Sequence, residues 1–369
     1  MCTAAALALT VTACGDDDDE PAGAGSSSSG GGDVVAATQA KLDGHDKADK
    51  IGPTTPIEEA IPKGKKITFV NCGAPACVNF GKALKTGADV LGWKVTEIAA
   101  QPTPPSVQAA FDEAIRQRPD AVVSMGLGRD LYAKQLDRLG DMKIPVMSNT
   151  GTEETGEGGI AFEPLGPKAS AEAAARLADR TIVDLEGEGQ IGSVLLGGFP
   201  VVKDYTEGYE REIEAACPDC SIKRLDIQPA SLGKDAPQKI ANFLRANPDL
   251  KGLFISYDLL ASGLPAAAKA AGVTVPKSYS FAPDEPGIQA LQTGERTAAL
   301  IEPYNELAWQ IVDALARTFT GRDVSESQPL QTLTIVSKDE GNLPKTADPF
   351  PAMVEDYQSQ FKRLWGVEG

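Results

Sequence analysis

The residues best able to do chemistry are the cysteines. Cys72 and Cys77 flank Gly73-Ala74-Pro75-Ala76 at the point where an apolar strand hands over to a helix, and Cys217-Pro218-Asp219-Cys220 has the spacing of a redox motif. A thiol is activated at the N-terminus of a helix that follows a strand. The second pair has the reverse setting, after a helix and before a strand. An even number of cysteines outside the cytosol favours disulfides, and nearness in sequence favours Cys72–Cys77 and Cys217–Cys220. Redox exchange and a shared zinc site remain open as alternatives. A metal needs more ligands than one such pair supplies, and the single histidine, His45, lies in a polar segment elsewhere. A Ser-His triad is therefore excluded, as are most histidine metal sites. Gly126-Leu127-Gly128-Arg129-Asp130-Leu131 follows a strand and opens a helix, as a dinucleotide site does, but Leu131 stands where the third glycine belongs. No cofactor is expected, and an enzyme would have to work through an acid such as Glu302 or Asp284.

The elements that hold these residues follow from length and patterning. A chain of 369 residues, 42% hydrophobic and 24% charged, has enough apolar sequence for two lobes with cores of their own. A net charge of −17 argues against nucleic acid and against an anionic membrane surface. Ala4–Val11 is apolar but too short to span a bilayer, and it ends in Val11-Thr12-Ala13-Cys14-Gly15, which resembles a bacterial lipobox with Cys14 as the lipidated residue. Residues 1–13 then read as a signal peptide. No Lys or Arg precedes the apolar run, which leaves a truncated start open. Residues 14–63 are acidic, then Ser/Gly-rich, then polar, and are expected to be a flexible tether. A coil of about 45 residues spans on the order of 40 Å.

From Lys65 onward, short apolar runs alternate with amphipathic stretches. Strands are expected at Ile67–Val70, Val95–Ala99, Ala121–Ser124, Ile144–Ser148 and Ile160–Phe162, with helices at 78–91, 105–117 and 130–140 between them. The pattern restarts with a helix over 167–186, then strands at Ile191–Leu196, Ser221–Ile227, Leu253–Ser256 and Tyr279–Phe281 separated by helices at 201–216, 233–246 and 259–271. Two consecutive α/β units of this kind predict two doubly wound, Rossmann-like lobes with parallel sheets. Ligands of such sheets bind beyond the carboxyl ends of the strands, so two facing lobes place that rim in a cleft.

Residues 283–321, PDEPGIQALQTGERTAALIEPYNELAWQIVDALARTFTG, resemble the closing segment of the sugar-type, ribose-binding-like periplasmic solute-binding proteins. DAVVSMG at 120–126, IPVMSNT at 144–150, YTEGYEREI at 205–213 and ANPDLKGLFISYD at 246–258 agree in order and spacing, so the resemblance covers roughly 65–340. It implies a type I periplasmic-binding fold with three crossings between lobes, near Glu163, Glu302 and Asp323. Lobe one would hold 64–162 and 303–322, and lobe two 163–302 and 323–338. Residues 339–369, including Trp365, extend past the family's usual end.

Members of that family grip a sugar with Asn, Asp, Arg, aromatic groups and a hinge Gln at the strand ends. The matching positions here are Ala74, Ala76 and Cys77 after the first strand, Met125 after the third, and Asn149, Thr150 or Gly151 after the fourth. In lobe two Tyr205 stands for the Arg, Leu232 for the aromatic, Tyr257 for the Asn, Ala282 with Asp284 nearby for the Asp, and Glu302 for the hinge Gln, with Phe199 as a further ring contact. Most groups that would bind a polyol are missing. The pocket implied is less polar, suited to a flat or weakly polar solute held by ring faces, with Asn149, Thr150 and Glu302 fixing its orientation. An ionised, buried Glu302 would call for a cation or a hydrogen-bond donor on the ligand. The purely structural alternatives are packing for Met125, solvent-facing rims for Tyr205 and Tyr257, and an ion pair for Glu302. In this setting a Cys72–Cys77 bridge would rigidify one wall of the pocket.

The resemblance implies a lipid-anchored, extracytoplasmic, monomeric receptor that closes on a small solute and docks on the membrane permease of an ABC-type importer. A sensor that feeds a membrane signalling protein is the alternative; adjacent permease and ATPase genes would favour import.

Overall fold

The structure is a computed structural model and describes residues 30–43, 50–101, 103–329, 333–345 and 350–367. Cys14 and His45 lie outside them. In chain order the elements are α1 (Gly30–Asp43), β1 (Lys66–Asn71), α2 (Pro75–Val90), β2 (Lys94–Ala99), α3 (Pro104–Gln117), β3 (Ala121–Met125), α4 (Ala133–Asp141), β4 (Val146–Asn149), α5 (Pro167–Asp184), β5 (Glu188–Leu196) and α6 (Pro200–Ala216). They continue with β6 (Asp219–Ile227), α7 (Ala236–Ala246), β7 (Leu250–Ile255), α8 (Leu264–Ala271), β8 (Lys277–Phe281), α9 (Glu285–Thr293), β9 (Ala298–Ile301), α10 (Tyr304–Thr320), β10 (Thr334–Ser337) and α11 (Tyr357–Leu364).

The expected two-lobed α/β architecture is present. Lobe one is a parallel sheet of order β2-β1-β3-β4, and lobe two a sheet of order β10-β9-β8-β7-β5-β6 in which only β10 runs antiparallel to its neighbour. The apolar runs of β1 and β3 are buried on both faces, as helix-covered parallel strands must be. Most helices that return the chain begin on or beside a proline, whose fixed φ suits the first helical turn and whose missing N–H costs nothing there. The chain leaves the first sheet after β4, comes back to it as α10, which packs on α2, and returns to the second sheet as β10.

Sequence and structure differ at three places. The run Ile160–Phe162 is not a strand, and only a single bridge joins Phe162 to Met147. Much of the segment read as tether is ordered. Helix α1 lies on α5, with Lys41 Nζ 2.6 Å from Glu212 Oε1 and 3.5 Å from Asp179 Oδ1. Residues 50–63 run along lobe one: Ile51 and Ile57 are buried, Ile57 N donates to Leu364 O at 2.8 Å, and Trp93 Nε1 donates to Pro62 O at 2.7 Å. Finally, the C-terminal extension backs α10. Trp365 stacks on Trp309 with ring centroids 5.4 Å apart and donates from Nε1 to Asp313 Oδ1 at 2.8 Å. Trp93 and Trp309 are core residues, as their sequence setting suggests.

The α5–α6 contact fixes the position of Tyr205. Gly208 of α6 lies on Ala171 of α5 so closely that a Cβ there would be 2.5 Å from Ala171 O and 2.7 Å from its Cα. Backbone cannot yield as a flexible side chain can. Gly208→Ala is therefore expected to lower stability by about 3 kcal/mol, the upper end of the overpacking range. Chemical denaturation checks this; an unchanged midpoint would contradict the close packing.

Candidate functional site

The site lies where the carboxyl ends of the two sheets face each other. A cavity of about 270 Å³ opens there. Lobe one contributes the β1–α2 turn, the end of β3 and the residue after β4. In that turn Cys72 and Cys77 form a disulfide with Cα atoms 5.8 Å apart, and Ala74 and Ala76 face the cavity between them. Met125 and Thr150 complete this wall. Gly126 has φ of 69° and supplies the left-handed turn beside the disulfide; a Cβ there would make only ordinary contact with Cys72 Sγ at 3.5 Å. The second bridge, Cys217–Cys220, ties the end of α6 to the start of β6, away from the cavity.

Lobe two contributes Leu196 at the end of β5, Phe199, Val201 and Val202 at the start of α6, Leu232, Tyr257 and Leu259 after β7, and Phe281 at the end of β8. The connection between β9 and α10 adds Glu302 and Tyr304. Apart from Thr150, Glu302 and the hydroxyls of Tyr257 and Tyr304, the lining side chains carry no oxygen or nitrogen.

Nine of the residues singled out from sequence therefore meet in one cavity: Ala74, Ala76, Cys77, Met125, Thr150, Phe199, Leu232, Tyr257 and Glu302. Five do not line it. Gly151 and Ala282 directly follow Thr150 and Phe281, which do. Asn149 is wholly buried, and its amide has no hydrogen-bond partner among the described residues. Asp284 caps α9, accepting from Gly287 N at 3.3 Å, and burial raises its carboxyl above the usual range. Tyr205 is neither a wall nor a solvent-facing rim. It lies under the wall, stacked on Phe281 with centroids 3.7 Å apart, and its hydroxyl donates to Glu302 Oε1 at 2.9 Å. Glu302 makes no ion pair among the described residues; burial pushes its carboxyl up to about 8, although the Tyr304 and Tyr205 hydroxyls favour the charged form.

Sequence reasoning missed Phe281, Tyr304, Val201 and Val202 as lining residues. Ala282, which matched the family's Asp position, has φ of 51° and does not line the cavity. Sequence reasoning also missed what holds Thr150. The Glu163 carboxyl accepts from Thr150 N at 3.0 Å, Gly151 N at 3.0 Å and Leu165 N at 3.1 Å. Burial pushes that carboxyl up to about 8 against the pull of Ser148 and these three N–H groups. An acidic residue directly after a buried Phe162, at the expected crossing, was the available signal.

A family model described as a periplasmic binding protein domain matches residues 62–323. The chain belongs to this family. Its members are binding proteins rather than enzymes. Helix α1, the segment before residue 62 and everything from β10 onward lie outside the matched region. Among solved structures, an ABC sugar transporter subunit from Rhodobacter sphaeroides 2.4.1 is 19% identical with a TM-score of 0.66, covering 75% of this chain and 99% of its own. An ABC transporter solute-binding protein from Burkholderia graminis C4D1M, in complex with D-arabinose, is 17% identical with a TM-score of 0.66, covering 78% and 100%. One from Agrobacterium vitis with bound allitol is 20% identical with a TM-score of 0.65, covering 76% and 97%. These similarities establish the shared fold. No curated protein is similar enough in sequence to count as a relative.

Proposed function

We propose that the protein is the extracytoplasmic, monomeric receptor of an ABC-type importer, anchored by a lipid on Cys14, and that its two lobes close on a small, weakly polar solute. The lining of the cleft carries this reading. Neighbouring folds are those of transporter subunits, two of them holding D-arabinose and allitol. A polyol needs several charged or amide partners, because each hydroxyl buried without one costs about 1–3 kcal/mol. Here the walls are a disulfide, Met125, Leu196, Leu232, two valines and the rings of Phe199, Tyr257, Phe281 and Tyr304. The cavity lies at or below the low end of the range for drug-sized ligands, about 300 Å³. It suits a solute with one ring or its equivalent.

Linkage tests the proposal. A ligand that binds only the folded chain at about a hundred times its dissociation constant stabilises it by about 2.7 kcal/mol. Small aromatic and alicyclic neutral molecules are expected to raise the melting temperature, and hexoses and pentoses to leave it unchanged. Stabilisation by sugars alone would overturn the ligand class while leaving the transport reading standing.

A further inference from the structure

Glu302 is the one carboxylic acid among the described residues lining the cleft, and its surroundings are unusual for a carboxylate. It is wholly buried. Oε1 takes the hydroxyl hydrogen bond from Tyr205, while Oε2 is buried without a partner in hydrogen-bond geometry among the described residues. The groups that face it are phenols: Tyr205 on α6, Tyr304 at the start of α10 and Tyr257 after β7. Arg176 on α5 acts on Tyr205, and Asp258 and Asp284 act on Tyr257, but no cation is among the groups acting on Glu302. The rest of the nearby wall is apolar.

An ionised carboxylate in such a place has lost its water and gained no counter-charge, which is the costliest arrangement a carboxyl can take. Protonation removes that cost and turns an orphan acceptor into a donor, since a neutral carboxyl carries one O–H. Tyr205 already donates to Oε1, so the proton belongs on Oε2, the oxygen without a partner in hydrogen-bond geometry; the Tyr304 hydroxyl is the other group acting on this carboxyl. We propose that Glu302 meets the ligand as a neutral carboxylic acid and donates a hydrogen bond from Oε2, so that the site selects uncharged molecules that place a carbonyl-type acceptor beside a flat apolar body. This rests on the reading of the cleft as a solute site. It reverses the expectation that Glu302 seeks a cation. An ammonium group would have to be stripped of water in a wall with no other carboxylate among its lining residues to share its remaining N–H donors. Burial pushes the pKa of the group up to about 8, which agrees with the geometry and predicts that donation fails in alkali.

Two readouts on the full chain test this. The first needs no ligand. With glutamate labelled by ¹³C at the carboxyl carbon, the resonance absent from E302Q is expected at an acid-form shift at pH 6.5, moving to the carboxylate shift with a midpoint near 8. A resonance already ionised at pH 6.5 overturns the proposal. The second compares three probes of similar shape: acetophenone, isopropylbenzene and 1-phenylethylammonium. Acetophenone is expected to bind about tenfold more tightly than isopropylbenzene, the worth of one buried hydrogen bond. E302Q, which still donates through its amide, should keep that preference. Glu302→Leu, or wild type at pH 9.5, should lose it. Equal binding of the three, or preference for the ammonium, overturns the proposal. If none of the three binds, the apolar-ligand reading itself fails, and the carboxyl resonance distinguishes that failure from an error about Glu302.

Discussion

Arg317→Met is expected to cost about 3–5 kcal/mol of folding stability, the range for breaking a buried ion pair from one side. Arg317 lies on α10 and is fully buried, yet each arm of its guanidinium is occupied. Nε donates to Asp313 Oδ2 at 2.8 Å, Nη1 pairs with Glu326, and Nη2 donates to Thr55 O at 2.8 Å. Asp313, equally buried, also accepts from Ser327 Oγ at 2.6 Å and from Trp365 Nε1 at 2.8 Å. One charge pair thus gathers the N-terminal segment, the connection before β10 and the C-terminal extension onto a single helix. Methionine roughly fills the space, so the loss would come from the charge: Asp313 would keep two donors and lose its counter-ion. It follows that Asp313→Asn in the same chain should recover a large part of the loss. Denaturant midpoints of the two single variants and the double variant measure this. If Arg317→Met stays within about 1 kcal/mol of wild type, the network does not hold the termini as described.

The same cluster marks the limit of what the sequence could tell. β1 and β3 were legible because short, mostly apolar runs rich in β-branched residues suit a strand covered on both faces. Ile160–Phe162 has the right composition, but the run is too short for a ladder: Ala161 N donates to Val146 O and Phe162 O accepts from Ser148 N, which makes one bridge and no strand. Ile51 and Ile57 are isolated apolar residues in polar surroundings, and composition alone reads them as tether. Their burial is decided by α10 and α11, which lie more than two hundred and fifty residues away. Local sequence does not contain that partner.

The cleft divides in a similar way. Topology fixes where strands end, so positions carried from the strand ends found the cavity in nine cases. Orientation within a turn is not fixed by topology. Val201 and Tyr205 are one helical turn apart on the same side of α6. Val201 reaches the cavity, while Tyr205 sits a turn further in and spends its ring on Phe281 and its hydroxyl on Glu302. Tyr205 was expected to touch the ligand; it does not line the cavity and supports the wall from behind. Glu163 does for Thr150 in lobe one what Tyr205 does for Phe281 in lobe two. In both lobes a buried polar group behind the wall holds a lining residue, and each of these groups lies at or bonds to a connection between the sheets.

Those crossings also set the response of the fold to pH, the second large effect. Glu163 and Glu302 are pushed up to about 8, and Glu306, which accepts from Met353 N and Val354 N, to about 7; burial is the main cause in each case. In the unfolded chain the same groups ionise near 4.5. Between these values the folded state binds more protons than the unfolded one, so stability falls as pH rises. The stabilisation is fully present below about pH 4.5 and is lost as pH climbs through 7 and 8. Each acid contributes a slope of up to about 1.4 kcal/mol per pH unit in that window. Asp120 acts in the opposite direction. Burial works against its charge, but the Lys66 N–H and the Lys65 ammonium hold its carboxyl below 3.8, so its contribution is lost in stronger acid. The melting temperature is therefore expected to peak near pH 5 and to decline toward pH 8, unlike a fold held by salt-bridged carboxylates. E302Q and E306Q, which cannot ionise, should each flatten the decline whatever they do to absolute stability. A wild-type melting temperature that is level or rising between pH 5 and 8 would mean that these acids are charged in the folded chain, with water or an ion reaching the hinge.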